Sequence, residues 1–134
     1  ETAIARQGSA PLPIRWYAHP FFPLTADRVY CSFSTPVSFP ESPGYFVNAE
    51  GFICQKADYA WEKGCFQSLD YDKSDPNMTI IQRHPLVGAV TTVTDFMPDW
   101  LPIWSNANTF SFEPYVIRQL GQGEAAAWSM EYRF

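Results

Sequence analysis

Two residues stand out as candidates for proton-transfer chemistry, His19 and Glu113. Histidine is the side chain whose charge changes near neutral pH, and the chain holds only 2 of them. His19 lies in Arg15-Trp16-Tyr17-Ala18-His19-Pro20-Phe21-Phe22-Pro23, at the end of a predicted strand and against a proline that keeps the backbone extended. Its aromatic flanks favour a positioned, partly desolvated imidazole at a pocket rim. The competing reading is a histidine packed among rings and bonded to backbone, the commoner fate of an isolated one. His84, in Gln82-Arg83-His84-Pro85, has polar neighbours and reads as a surface turn. Glu113 follows Phe110-Ser111-Phe112 and precedes Pro114-Tyr115. Period-two alternation puts Phe110 and Phe112 on one strand face and Glu113 on the other. A carboxylate among rings has its charged form disfavoured, which tunes it towards a general base near neutral pH. Against this stands the ordinary exposed carboxylate at a strand end.

Other groups fit a sugar. Asp70-Tyr71-Asp72 and Asp95-Phe96-Met97-Pro98-Asp99 set aspartates beside aromatics. Carboxylates accept hydrogen bonds from hydroxyls while rings cover the apolar faces of a pyranose, although most aspartates in such places form turns. Trp16, Trp61, Trp100 and Trp104 fall close to strand ends or loops, where a ligand reaches a ring face; a β core also uses aromatics freely. No HxH, HExxH or calcium-loop pattern is present, so no metal is expected, and no serine sits in a nucleophile elbow. Cys31, Cys54 and Cys65 match no zinc spacing and read best as buried free thiols.

These side chains must be positioned by strands. Helical periodicity is almost absent, and short β-branched and aromatic runs alternate with Pro, Gly, Asn and Asp, the pattern of an all-β antiparallel sandwich. The expected strands are 2–6, 14–18, 29–33, 51–55, 78–82, 89–94, 101–104, 109–112 and 126–134. In the last, Trp128, Met130, Tyr132 and Phe134 oppose Ala127, Ser129, Glu131 and Arg133. Pro36, Pro40, Pro43 and Gly44 mark a loop, Ser74-Asp75-Pro76-Asn77 a turn, and Gly121-Gln122-Gly123-Glu124 a connection between the final two strands. One helical turn is plausible over 57–63. No repeat, charge block or linker divides the 134 residues, so a single domain spanning 1–134 is expected.

Composition narrows the partners. Charged residues are only 17%, and 11 Phe, 7 Tyr and 5 Trp take their place, which leaves aromatic faces as the main recognition chemistry. A net charge of −5 excludes the basic footprint that nucleic acid requires. No apolar run reaches 18 residues, so no membrane-spanning helix is expected. The chain opens on Glu1 with no secretion-type segment before it, which reads as a processed or internal start. A cytoplasmic setting is the expectation, although the cysteine count does not decide the compartment.

Three segments, in order along the chain, resemble the aldose 1-epimerase (galactose mutarotase-like) superfamily. The first is Pro11-Leu12-Pro13-Ile14-Arg15-Trp16-Tyr17-Ala18-His19-Pro20-Phe21-Phe22; the second runs from Val93 to Phe112-Glu113-Pro114; the third is Leu120-Gly121-Gln122-Gly123-Glu124 followed by Trp128 to Phe134. The resemblance covers the C-terminal half of that family's supersandwich. It implies an enzyme interconverting the α and β anomers of a hexose without metal or cofactor. His19 then matches the acid at the ring oxygen and Glu113 the base at the anomeric hydroxyl. Asp70, in Leu69-Asp70-Tyr71, is the nearest match to a sugar-contacting aspartate, with Tyr71 where the family has His. Trp16 and Trp104 are the expected ring walls. His19 and Glu113 should converge on one cleft, about a sugar ring's width apart. The family's first half has no counterpart here, so a missing N-terminal segment or a second chain is an expected partner. The alternative is a non-catalytic carbohydrate-binding sandwich, which would not need His19 and Glu113 in contact.

Overall fold

The computed structural model describes residues 1–134 and is all-β. The strands are β1 (Thr2–Ala5), β2 (Leu12–Tyr17), β3 (Phe22–Pro23), β4 (Cys31–Phe33), β5 (Val37–Ser38), β6 (Tyr45–Val47), β7 (Ile53–Gln55), β8 (Cys65–Ser68) and β9 (Asp70–Tyr71). They continue with β10 (Thr79–His84), β11 (Gly88–Thr94), β12 (Pro102–Ser105), β13 (Thr109–Phe112), β14 (Tyr115–Leu120), β15 (Ala125–Trp128) and β16 (Met130–Arg133). The helical turn expected over 57–63 is a short 3-10 turn at Trp61–Lys63. No helix is long and apolar enough to cross a membrane.

Two four-stranded antiparallel sheets carry the fold, ordered β16-β11-β10-β4 and β3-β13-β12-β8. Their inner faces share one core: Cys31 and Ile80 from the first sheet meet Cys65, Ile103, Phe110 and Phe112 from the second. Sheet on sheet is the layering of a sandwich. A smaller cluster of Ile14, Phe96, Val116, Leu120 and Trp128 lies under the β2–β14 ribbon. Polar groups in the main core are tied together. The Tyr30 hydroxyl donates to Ser105 Oγ at 3.1 Å, and Tyr45 Oη lies 2.8 Å from the same oxygen and donates to the Cys65 carbonyl at 2.7 Å. Burial pushes both phenols well above their ordinary pKa. Gln82 is the opposite case: it is fully buried, and neither its amide nitrogen nor its oxygen has a partner.

One antiparallel register links the two regions. Tyr115 faces Tyr17 in the β2–β14 ribbon, and Phe110 faces Phe22 in the β3–β13 pair. Between those pairs each strand passes through four residues, 18–21 and 111–114, so the two chains stay in step across the gap. Pro20 and Pro114 lie in it, and neither can donate a ladder hydrogen bond. In-step pairing sets His19 opposite Glu113 and Phe21 opposite Ser111.

Several expectations need correction. The expected strand 126–134 is two strands broken at Ser129, whose backbone N–H and hydroxyl both donate to the Asp95 carboxylate at 2.8 Å. That anchor hands the chain from β1, the partner of β15, to β11, the partner of β16. The expected loop around Pro36 to Gly44 contains β5, which pairs with β9. Cys31, Cys54 and Cys65 are buried and unbridged.

Removing the Ser105 hydroxyl leaves the Tyr30 phenol unpaired in the core, so Ser105→Ala should destabilise by about 1–3 kcal/mol. Gln82→Leu keeps the volume and removes two orphan polar atoms, and should stabilise by about 1 kcal/mol or more. Urea denaturation of the two variants checks these opposite signs.

Candidate functional site

Alternation on β13 builds the site. Phe110 and Phe112 enter the core, so Ser111 and Glu113 take the outer face. On β12 the buried Ile103 likewise turns Trp104 outward, beside its register partners Ser111 and Phe66. On β2 the buried Ile14 sends Arg15 and Tyr17 outward, and the same parity continues to His19 and Phe21 beyond the strand.

His19 Nε2 lies 3.0 Å from Glu113 Oε1, with the imidazole 38% exposed and the carboxylate only 10%. The two side chains therefore meet directly, not at the ring's width expected, because register places them as an opposed pair. Burial raises the pKa of Glu113, and the neighbouring His19, by its charge and its hydrogen bond, offsets part of that rise.

Aromatic rings extend from this pair in both directions. Tyr17 is 5.9 Å from His19 and stacks on Tyr115 at 4.3 Å; Tyr115 in turn touches Trp100 at 4.7 Å. The Arg15 guanidinium lies over Trp100 and Tyr115, 5.2 and 5.0 Å from the ring centres, in cation–π range. On the other side Phe21 lies 4.4 Å from His19 and meets Trp104 edge-on at 6.2 Å. Trp104 is seated against Gly64, where a Cβ would come within 3.1 Å of the indole and where φ is +70°; both space and backbone call for glycine. A buried carboxyl, an accessible imidazole and a row of ring faces thus share one surface, on which the carboxyl and the imidazole can exchange a proton.

The expected site residues divide. Trp104 reaches this face through Phe21. Trp16 does not: it shares the parity of Ile14, so it packs inward against Trp128 at 5.5 Å and Phe96 at 6.5 Å, and Tyr17 occupies the position Trp16 was expected to fill. Asp70 is exposed on β9, two residues beyond Ser68, whose hydroxyl accepts the Trp100 indole N–H at 2.7 Å. The structure does not bring Asp70 into contact with His19 or Glu113. Trp61 belongs to the core. The residues missed in the sequence are Arg15, Tyr17, Phe21, Ser111 and Tyr115, and every-other-residue spacing from His19 and Glu113 would have found them.

None of the surface cavities is lined by His19 or Glu113; the largest, about 470 Å³ with Arg28, Tyr59 and Trp61 in its wall, lies elsewhere. No three His, Cys, Asp or Glu side chains converge as a metal site. No protein-family model matches the chain, nor does any curated protein or solved structure.

A carboxyl whose folded pKa is raised contributes most to stability while protonated, and that contribution is lost as pH rises through the folded value. Glu113→Gln has no charge to bury. Its stability relative to the parent should therefore be more favourable near pH 8 than near pH 4, a difference calorimetry at the two pH values would read.

Proposed function

We propose that the chain is a mutarotase-like carbohydrate protein that interconverts the α and β anomers of a hexose by opening its ring. The observation that carries this reading is the 3.0 Å contact of His19 with Glu113 on a face lined by aromatic rings. The sequence resemblance assigns its acid and base to the same two positions. Under this reading the all-β layers correspond to the C-terminal half of a mutarotase-like supersandwich, and any other half, from a preceding segment or a second chain, adds to a site whose acid, base and ring faces are already carried here.

The reaction needs one acid, one base and no cofactor. The Glu113 carboxylate takes the proton of the anomeric hydroxyl as the imidazolium of His19 gives its proton to the ring oxygen. The bond from the anomeric carbon to the ring oxygen breaks, and the hydroxyl oxygen becomes the carbonyl oxygen of the open aldehyde. Rotation about the adjacent carbon–carbon bond presents the other aldehyde face. The ring hydroxyl then attacks it, returns its proton to His19, and the new anomeric oxygen regains one from Glu113. Both oxygens are bonded to one carbon, so the two groups must be close, and a sugar entering the site replaces their mutual contact with contacts to itself. Reversible transfer suits a carboxyl displaced upward from its ordinary pKa. The rings supply flat apolar faces for the pyranose.

Polarimetry on freshly dissolved hexoses tests the reading. The parent chain should speed mutarotation, and Glu113→Gln should reduce that rate by about 10²–10⁴-fold, the usual worth of a positioned acid or base. The parent's activity should also fall as acid protonates Glu113, with a midpoint above the ordinary Glu value of about 4.3. Hexose binding without rate enhancement would instead mark a carbohydrate-binding sandwich, a reading the exposed rings of Tyr17, Phe21 and Phe66 also suit.

A further inference from the structure

One polar group on the site face has no use in the free protein. Ser111 is fully buried, 0% exposed, and its hydroxyl has no hydrogen-bond partner. A hydroxyl left in that state costs stability that an alanine would not. It is also the smallest side chain in a row of large ones. Trp104 faces it from β12, and register sets Phe21 on its other side. Those two rings sit two strands apart and still meet edge-on at 6.2 Å, which requires them to close across the serine between them. Trp104 packs against Gly64, whereas Phe21 is 58% exposed and precedes only the two-residue strand β3. Phe21 is thus the more exposed side of this cover, the one a ligand would displace.

We infer that Ser111 Oγ is a recognition point for a ring hydroxyl of the sugar, capped by Phe21 until the sugar arrives. This rests on the reading of His19 and Glu113 given above. Ser111 stands two residues from Glu113 on the same strand face, about 6.6 Å along it. With the anomeric hydroxyl at Glu113, that spacing points to a hydroxyl across the ring, on C3 or C4. The serine can donate to it or accept from it. Displacing Phe21 gives the ring a sugar face to cover in place of its contact with Trp104. Ser111 is a positioning residue here and takes no part in proton transfer.

Titration calorimetry with a hexose and its 3-deoxy and 4-deoxy analogues tests this on the parent chain, Ser111→Ala and Glu113→Gln. Ser111→Ala should bind the hexose about three- to tenfold more weakly, the worth of one hydrogen bond, while unfolding at an equal or higher urea midpoint. One deoxy analogue should lose affinity for the parent by a similar factor and lose nothing further for Ser111→Ala. Unchanged hexose affinity in Ser111→Ala, or equal discrimination against both analogues in the two proteins, overturns the role of Ser111 and leaves the His19–Glu113 reading standing. No hexose binding by the parent overturns both.

Discussion

A single antiparallel register, residues 12–23 against 109–120, holds the molecule's inside and its aromatic outer face in one relation. On the inner side it stacks Phe22 on Phe112 at 5.5 Å and commits Phe110 to the core. On the outer side it brings Tyr17 onto Tyr115 and His19 onto Glu113. A one-residue slip would exchange the two sides of the strand, exposing the phenylalanines and burying the carboxylate in the core. Core packing therefore selects the register, and the register sets the pair. The prolines matter for a second reason. Pro20 and Pro114 withhold backbone donors where His19 and Glu113 meet, so the ladder opens there while the paired strands on either side keep it aligned.

Much of this was legible in residue types, and what was missing is long-range. The all-β class follows from strand-forming runs cut by turn residues, and the outward orientation of Glu113 follows from its two phenylalanine neighbours. The aromatic character of Trp16 suggests a ring wall, but its spacing from Ile14 fixes its face inward. The strand Tyr115–Leu120 shows no alternation, since Ile117, Arg118 and Gln119 are exposed in succession. Strands as short as Phe22–Pro23 or Asp70–Tyr71 carry no pattern of their own; their partners create them. The break at Ser129 depends on Asp95, 34 positions away in the chain. No local signal announces which strands pair, and the contact of His19 with Glu113 is a consequence of pairing alone.

The outer face gathers features that a fold has no reason to collect. Glu113 is a carboxyl whose burial opposes its charge, only partly compensated by His19. Ser111 is a buried hydroxyl without a partner, and Phe21 and Phe66 leave more than half of their surfaces in water, 58% and 52% exposed. Each is a small cost to stability, and all of them lie on one surface. Gln82 shows that missing partners alone are not the criterion. It too is buried without partners, as is Thr92 on the neighbouring strand, and both lie in the sheet β16-β11-β10-β4, apart from the His19–Glu113 pair. Orphan polar atoms by themselves are packing defects. At Ser111 the orphan atom stands beside a buried carboxyl, an accessible imidazole and a row of ring faces, and that company is what the proposed sugar reading rests on.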